Sequence, residues 1–301
     1  MRASASMLAL LLGAGAWTAA AWGATSADAG SGAAVTVDGA APPYAVWHAT
    51  VLPGETLALG LPDRHRAEVD GRPVSSDWLA PDTAGVHELE VFDPSGEVVN
   101  TLAVFVLEPV ASVDEGGYLE GYRIGAYPQD DPEGFIKLTP DDLDVAISPH
   151  FRVGQFLCKQ QPEHFPKYVL VSDANLRRLE ALLGALREDG LTDAETLFVM
   201  SGFRTPFYNA AIGSATLSRH MYGDAADVYV DVAPRDGVMD DINRDGQVTK
   251  ADADFLYDYA EELFASRDDV VQGGLGPYPA NAVHGPFVHV DGRGRPARWG
   301  R

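Results

Sequence analysis

Apolar positions along the chain change their pattern partway. From about residue 33 to 110 they come in short runs, "AVTV", "YAVWHATVL", "ETLALGL", "HELEVF" and "VVNTLAVFVL", rich in β-branched and aromatic residues. Turn clusters separate the runs, and "FDPSGE" at 92–97 joins the last two through Pro94 and Gly96. That pattern predicts strands without helices, and the expected unit over 33–110 is a small β-sandwich of immunoglobulin-like type. Residues 111–145 are Gly-, Pro- and Asp-rich, as in "GAYPQDDPEGF", and read as a connecting segment. Beyond it, "SDANLRRLEALLGALREDG" at 172–190 puts Leu176, Leu179, Leu183 and Leu186 on one helical face. Ser172 or Asp173 can cap its start and Gly190 can end it. Short strands are expected in "ETLFVMSGF", "AADVYVDV" and "PFVHVD". Helices and strands without strict alternation predict an α+β domain over 146–301.

Composition narrows the function classes. The 301 residues are 46% hydrophobic, enough for a substantial core. A net charge of −22 argues against a nucleic-acid partner, which needs clustered Lys and Arg. Residues 1–29 read as a signal peptide: Arg2, then "MLALLLGAGAWTAAAWG", then "ADA" as a cleavage site. The apolar run of ~17 residues is short for ~30 Å of hydrocarbon, so cleavage without stable membrane insertion is expected. The protein is therefore expected to be exported, to the periplasm or in association with the cell envelope. The single cysteine, Cys158, cannot form an internal disulfide and lies among apolar residues, where a buried, inert thiol is the expectation. His150 and His164 are expected to be structural.

"DINRDGQVTKAD" at 241–252 has the spacing of an EF-hand calcium loop. Asp241, Asn243 and Asp245 take positions 1, 3 and 5, Gly246 the sharp turn, and Gln247 can offer its carbonyl at position 7. Position 12 is Asp252, and the loop resembles the dockerin type. The alternative is an acidic surface turn. One such loop, inserted at about 235–264, suits a structural calcium staple better than a paired docking module.

The strongest chemistry lies in "SRHMYGDAAD" at 218–227. On one continuous helix His220 and Asp227 would stand ~10 Å apart along the axis, too far for one ion. Gly223 allows the chain to turn, so that a ligand on a turn and a ligand at a strand's start can converge. Zinc needs a third ligand and an open position. His289 in "FVHVD" is a candidate, sharing a strand face with Phe287 and Asp291.

The Ser-x-His-x-x-Gly-x-Ala-x-Asp pattern resembles that of zinc D-alanyl-D-alanine carboxypeptidases and related peptidoglycan endopeptidases, whose fold is shared with the hedgehog signalling domain. "SPHFRVGQFLC", "SGFRTPFYN" and "FVHVDGRGRPARW" resemble the same family in the same order, so the likeness covers roughly 146–301. The resemblance implies His220, Asp227 and His289 as zinc ligands. It also implies that Arg204 binds substrate or stabilises transition-state charge, against the alternative of a structural salt bridge. Ser218 either positions substrate or caps the turn. Many relatives carry an acid three positions before the third ligand as general base; here that position is Pro286. Asp291 and His284 are the available substitutes, Asp291 placed slightly ahead, with a ligand-orienting role as its alternative. The expected activity is hydrolysis of peptidoglycan stem or cross-link peptides. The rival reading is a non-catalytic, zinc-containing cell-wall-binding module. Which peptide bond is cut depends on loops such as "GGLGPYPANAVHG" at 273–285.

Overall fold

Alternation of buried and exposed positions builds the N-terminal half. Thr56–Gly60 buries only Leu57 and Leu59, and it pairs antiparallel with Thr36–Val37 on one side and Asp77–Leu79 on the other. A separate five-stranded sheet runs in the order Val46–Val51, Val98–Val106, Gly85–Phe92, Arg66–Val69, Arg72–Val74. Its first pair is parallel and the rest are antiparallel. Leu102 to Val106 are buried at consecutive positions, so both faces of that strand are covered. The computed structural model describes residues 35–232 and 234–301; the signal peptide read over 1–29 lies outside them.

The segment read as a connector is more structured than its composition suggested. It contains the buried strand Gly134–Leu138, which pairs with Glu108–Pro109 and with Lys167–Val169. This three-stranded sheet links the strand-rich half to the C-terminal half, and the described residues pack as one compact unit. His48, on Val46–Val51, makes a second link: its Nδ1 donates to the Ile147 carbonyl at 3.0 Å and its Nε2 meets Asp173 at 3.1 Å.

The C-terminal half is a five-stranded sheet ordered Phe198–Ser201, Ala225–Tyr229, Phe287–Asp291, Gly274–Tyr278, Ala297–Arg298, antiparallel except for the last pair. Two helices, α1 (Asp173–Glu188) and a second spanning Lys250–Ala265, pack on it and on each other. The α1 stripe Leu176, Leu179, Leu183 and Leu186 is buried. Ser172 is the N-cap residue, but its hydroxyl donates to Asp224 at 2.8 Å instead of capping the helix. The chain is therefore mixed α+β, mainly sheet with few helices. Among the described residues no helix is long and apolar enough to cross a membrane. Cys158 is buried, and burial pushes its thiol pKa up.

Candidate metal centre

Strand register brings the first two site residues together. Asp227 and His289 are directly opposite one another on adjacent antiparallel strands, so their side chains leave the same face. Val228, Val288 and Val290 point the other way and are fully buried. His220 arrives on a short 3-10 turn, Arg219–Tyr222, ended by Gly223 in the left-handed conformation. Gly223 sits so close to the Leu170 carbonyl that a Cβ would lie 2.3 Å from its oxygen. Only glycine satisfies both the backbone angle and the space.

The three side chains form a tight triangle. His220 Nε2 is 3.2 Å from His289 Nδ1 and 3.3 Å from Asp227 Oδ1, and His289 Nδ1 is 2.9 Å from that same oxygen. A tetrahedral ion with ligand distances of ~2.0–2.1 Å has ligand-to-ligand edges of ~3.3 Å. The remaining ring atoms settle the tautomers. His220 Nδ1 faces the Gly202 carbonyl at 2.7 Å and His289 Nε2 faces Asp291 at 3.2 Å. Both partners only accept, so each of those nitrogens carries a hydrogen. Two nitrogen lone pairs and a carboxylate oxygen then converge, an arrangement that a cation stabilises. Among the described residues this is the one group of three His, Cys, Asp or Glu side chains gathered closely enough to hold a metal. The donor set fits zinc.

Charges around the triangle are strongly coupled. Burial would raise the Asp227 pKa, but the two histidines hold it well below the usual carboxylate range. Burial lowers the His220 pKa. For His289, burial is outweighed by hydrogen bonds to Asp227 and Asp291, and its pKa is raised. Arg204 Nη2 reaches the other Asp227 oxygen at 2.5 Å, its Nε donates to Ser201 at 2.8 Å, and Nη1 lies 3.4 Å from Ser214. Arg204 therefore pairs with the Asp227 carboxylate of the candidate centre while remaining partly exposed at its edge.

Asp291 differs from the expectation that ranked it first as base. It is fully buried and accepts from the Gly274 backbone at 2.9 Å, from His289, and from Arg293 through Nε at 2.8 Å and Nη2 at 2.5 Å. Burial opposes ionisation, but these donors hold its carboxyl far below the normal range. Such a group orients His289 and is a poor proton acceptor. His284 is half-buried, accepts from Asn281 Nδ2 at 2.7 Å, donates to the Gly285 carbonyl, and rests edge-on against Phe287. Its hydrogen bonds go to neither of the ligand histidines. Ser218 is the N-cap residue of the His220 turn, with no capping bond from its hydroxyl.

The 241–252 loop does not assemble a comparable site. Asp241 accepts from the Asp245 and Gly246 N–H groups, and Asn243 Oδ1 from Asp245 N–H. Buried Asp252 spends its oxygens on the Thr249 and Asn243 N–H groups, as part of the capping box of the following helix. Asp245 receives the Gln247 N–H.

Residues 150–251 match the Peptidase M15 family. The match covers about a third of the chain, and the α+β architecture is compatible with a domain of that family. It contains Arg204, Ser218, His220 and Asp227 and ends before His289, which the fold supplies. No curated protein matches the chain. Two participants were not singled out in the sequence, the Gly202 carbonyl and Arg293. They lie within the "SGFRTPFYN" and "FVHVDGRGRPARW" blocks, but nothing local says what they touch.

Proposed function

We propose that the chain is an exported zinc metallopeptidase that hydrolyses stem or cross-link peptides of peptidoglycan. The observation that carries this is the convergence of three potential ligand atoms, His220 Nε2, Asp227 Oδ1 and His289 Nδ1, at 2.9 to 3.3 Å from one another; the family match supports it. Zinc held there would supply Lewis acidity toward a peptide carbonyl. Arg204, anchored by Asp227 and Ser201, places a fixed positive charge beside the centre, suited to a developing oxyanion or a peptide carboxylate. Ser218, at the head of the His220 turn, positions substrate. With Asp291 committed to His289 and Arg293, His284 is the remaining proton acceptor, its Nε2 lone pair released when the Asn281 bond opens. The 33–110 strands serve as an immunoglobulin-like spacer or wall-targeting unit. Calcium in the 241–252 loop is supported by the EF-hand spacing of Asp241, Asn243, Asp245 and Asp252. Export to the periplasm is supported by residues 1–29.

A second reading, a zinc-holding module that binds cell wall without cutting it, draws on Pro286 and on the sequestered Asp291. A peptidoglycan digest by zinc-loaded protein, read by mass spectrometry beside chelated and His220→Ala controls, separates the two. Zinc-dependent product supports the peptidase, and the mass lost names the bond. Stoichiometric zinc with no product supports the binding module.

A further inference from the structure

The last residues of the chain reach the metal centre. Ala297–Arg298 pairs parallel with Gly274–Tyr278, and the Arg298 guanidinium is tied to Glu261 on the second large helix. This anchoring delivers Trp299 onto His289, with ring centroids 5.2 Å apart and planes at 56°. The indole Nε1 donates to the Tyr278 hydroxyl at 2.8 Å, and Tyr278 stacks on Phe287 at 4.7 Å. The indole also receives the Arg293 guanidinium, 5.5 Å from the ring centre. That same Arg293 grips Asp291, the carboxylate that faces His289 Nε2.

Register explains why there is room for the indole. The residue opposite His289 on the neighbouring strand is Gly276. A Cβ there would lie 2.3 Å from Trp299 Nε1 and 2.4 Å from its Cε2. The gap left by the missing side chain is the space that the indole fills. His289 is thereby held in two ways: Asp291 fixes its Nε2 edge, and Trp299 packs against its ring. We propose that the closing segment is part of the metal centre, with Trp299 a positioning residue that fixes the plane of the His289 imidazole. This rests on the zinc-site reading above. Its consequence is that zinc affinity and coordination geometry depend on a tryptophan that donates nothing to the ion, as outer partners of metal ligands do.

The test uses the full chain and measures zinc affinity by chelator competition, with the visible spectrum of the cobalt(II)-substituted protein as a report on geometry. Trp299→Ala is expected to weaken zinc binding by about 10–100-fold and to shift the cobalt spectrum. Trp299→Phe, which keeps a packing ring but loses the Tyr278 bond, should restore most of the affinity. Gly276→Ala, which displaces the indole while leaving Trp299 in the sequence, should reproduce the Trp299→Ala change, and the double variant should be no worse than either single one. Should Trp299→Ala fail to fold by circular dichroism, Gly276→Ala and Trp299→Phe carry the comparison. Wild-type affinity and spectrum in the folded variants, with His220→Ala devoid of zinc, overturn the proposal and leave the metal site standing. Absence of zinc binding in the wild-type protein overturns both.

Discussion

Each histidine of the centre has one nitrogen committed to an acceptor, and that commitment frees the other for a metal. Gly202 does this for His220 and Asp291 for His289. The distinction between orienting and accepting a proton gives a direct test at this scale. Asp291→Asn should lower zinc affinity about 10–100-fold, because the carboxylate's hold on His289 is weakened. His284→Ala should leave zinc affinity unchanged and lower kcat by about 10²–10⁴. Chelator competition and steady-state kinetics on one peptide substrate read both, and a reversed pattern would return the base to Asp291. Gly223 is the residue whose backbone decides the His220 turn. Gly223→Ala should cost about 2 kcal/mol or more in urea unfolding, since a left-handed alanine is itself unfavourable and its Cβ overlaps the Leu170 carbonyl. A loss of a few tenths would mean that the turn relaxes freely.

Among the elements, the two antiparallel strands Ala225–Tyr229 and Phe287–Asp291 carry the site, and α1 and the Lys250–Ala265 helix back them. A one-residue slip of register would send His289 to the valine face, so burial of Val288 and Val290 also protects the ligand geometry. The 241–252 loop enters the second of these helices through the Thr249–Asp252 capping box. Millimolar calcium should raise the melting temperature of the protein, and Asp241→Ala should abolish the rise. An unchanged melting temperature would leave the loop as an acidic turn held by its own backbone N–H groups.

Across the whole molecule, the His48–Asp173 pair joins the N-terminal sheet to the start of α1. Partial desolvation against His48 would raise the Asp173 pKa, but hydrogen bonding to His48 and its charge lower it. A depressed folded pKa contributes stability above the unfolded value of about 4 and loses it as pH falls through the folded value. Asp173→Asn should therefore be less stable than wild type at pH 7, with the two curves converging as pH falls below about 4; parallel curves would show that the pair is uncoupled from folding. The difference will be modest, because the carboxylate is largely exposed. The leucine stripe of α1, the strand that carries His289 and the turn at Gly223 were legible in the chain, because helical and strand periods and glycine's freedom act over a few residues. The burial of Arg178 on that same helix was not, since what covers it is Phe264 and the Val271 carbonyl, far along the sequence. Ligand types, too, were legible in the His220 and Asp227 motif. Their meeting with His289, separated from Asp227 by 62 positions and from His220 by 69, depended on strand register, which distant packing sets. The same holds for Asp291, whose likeness to a free base disappears once Arg293, Gly274 and His289 surround it, and for Trp299, whose place on His289 exists only because Gly276 lies opposite. The sequence by itself determined which groups could bind a metal; the tertiary structure decided which lone pairs face one another, because that depends on partners that no local pattern encodes.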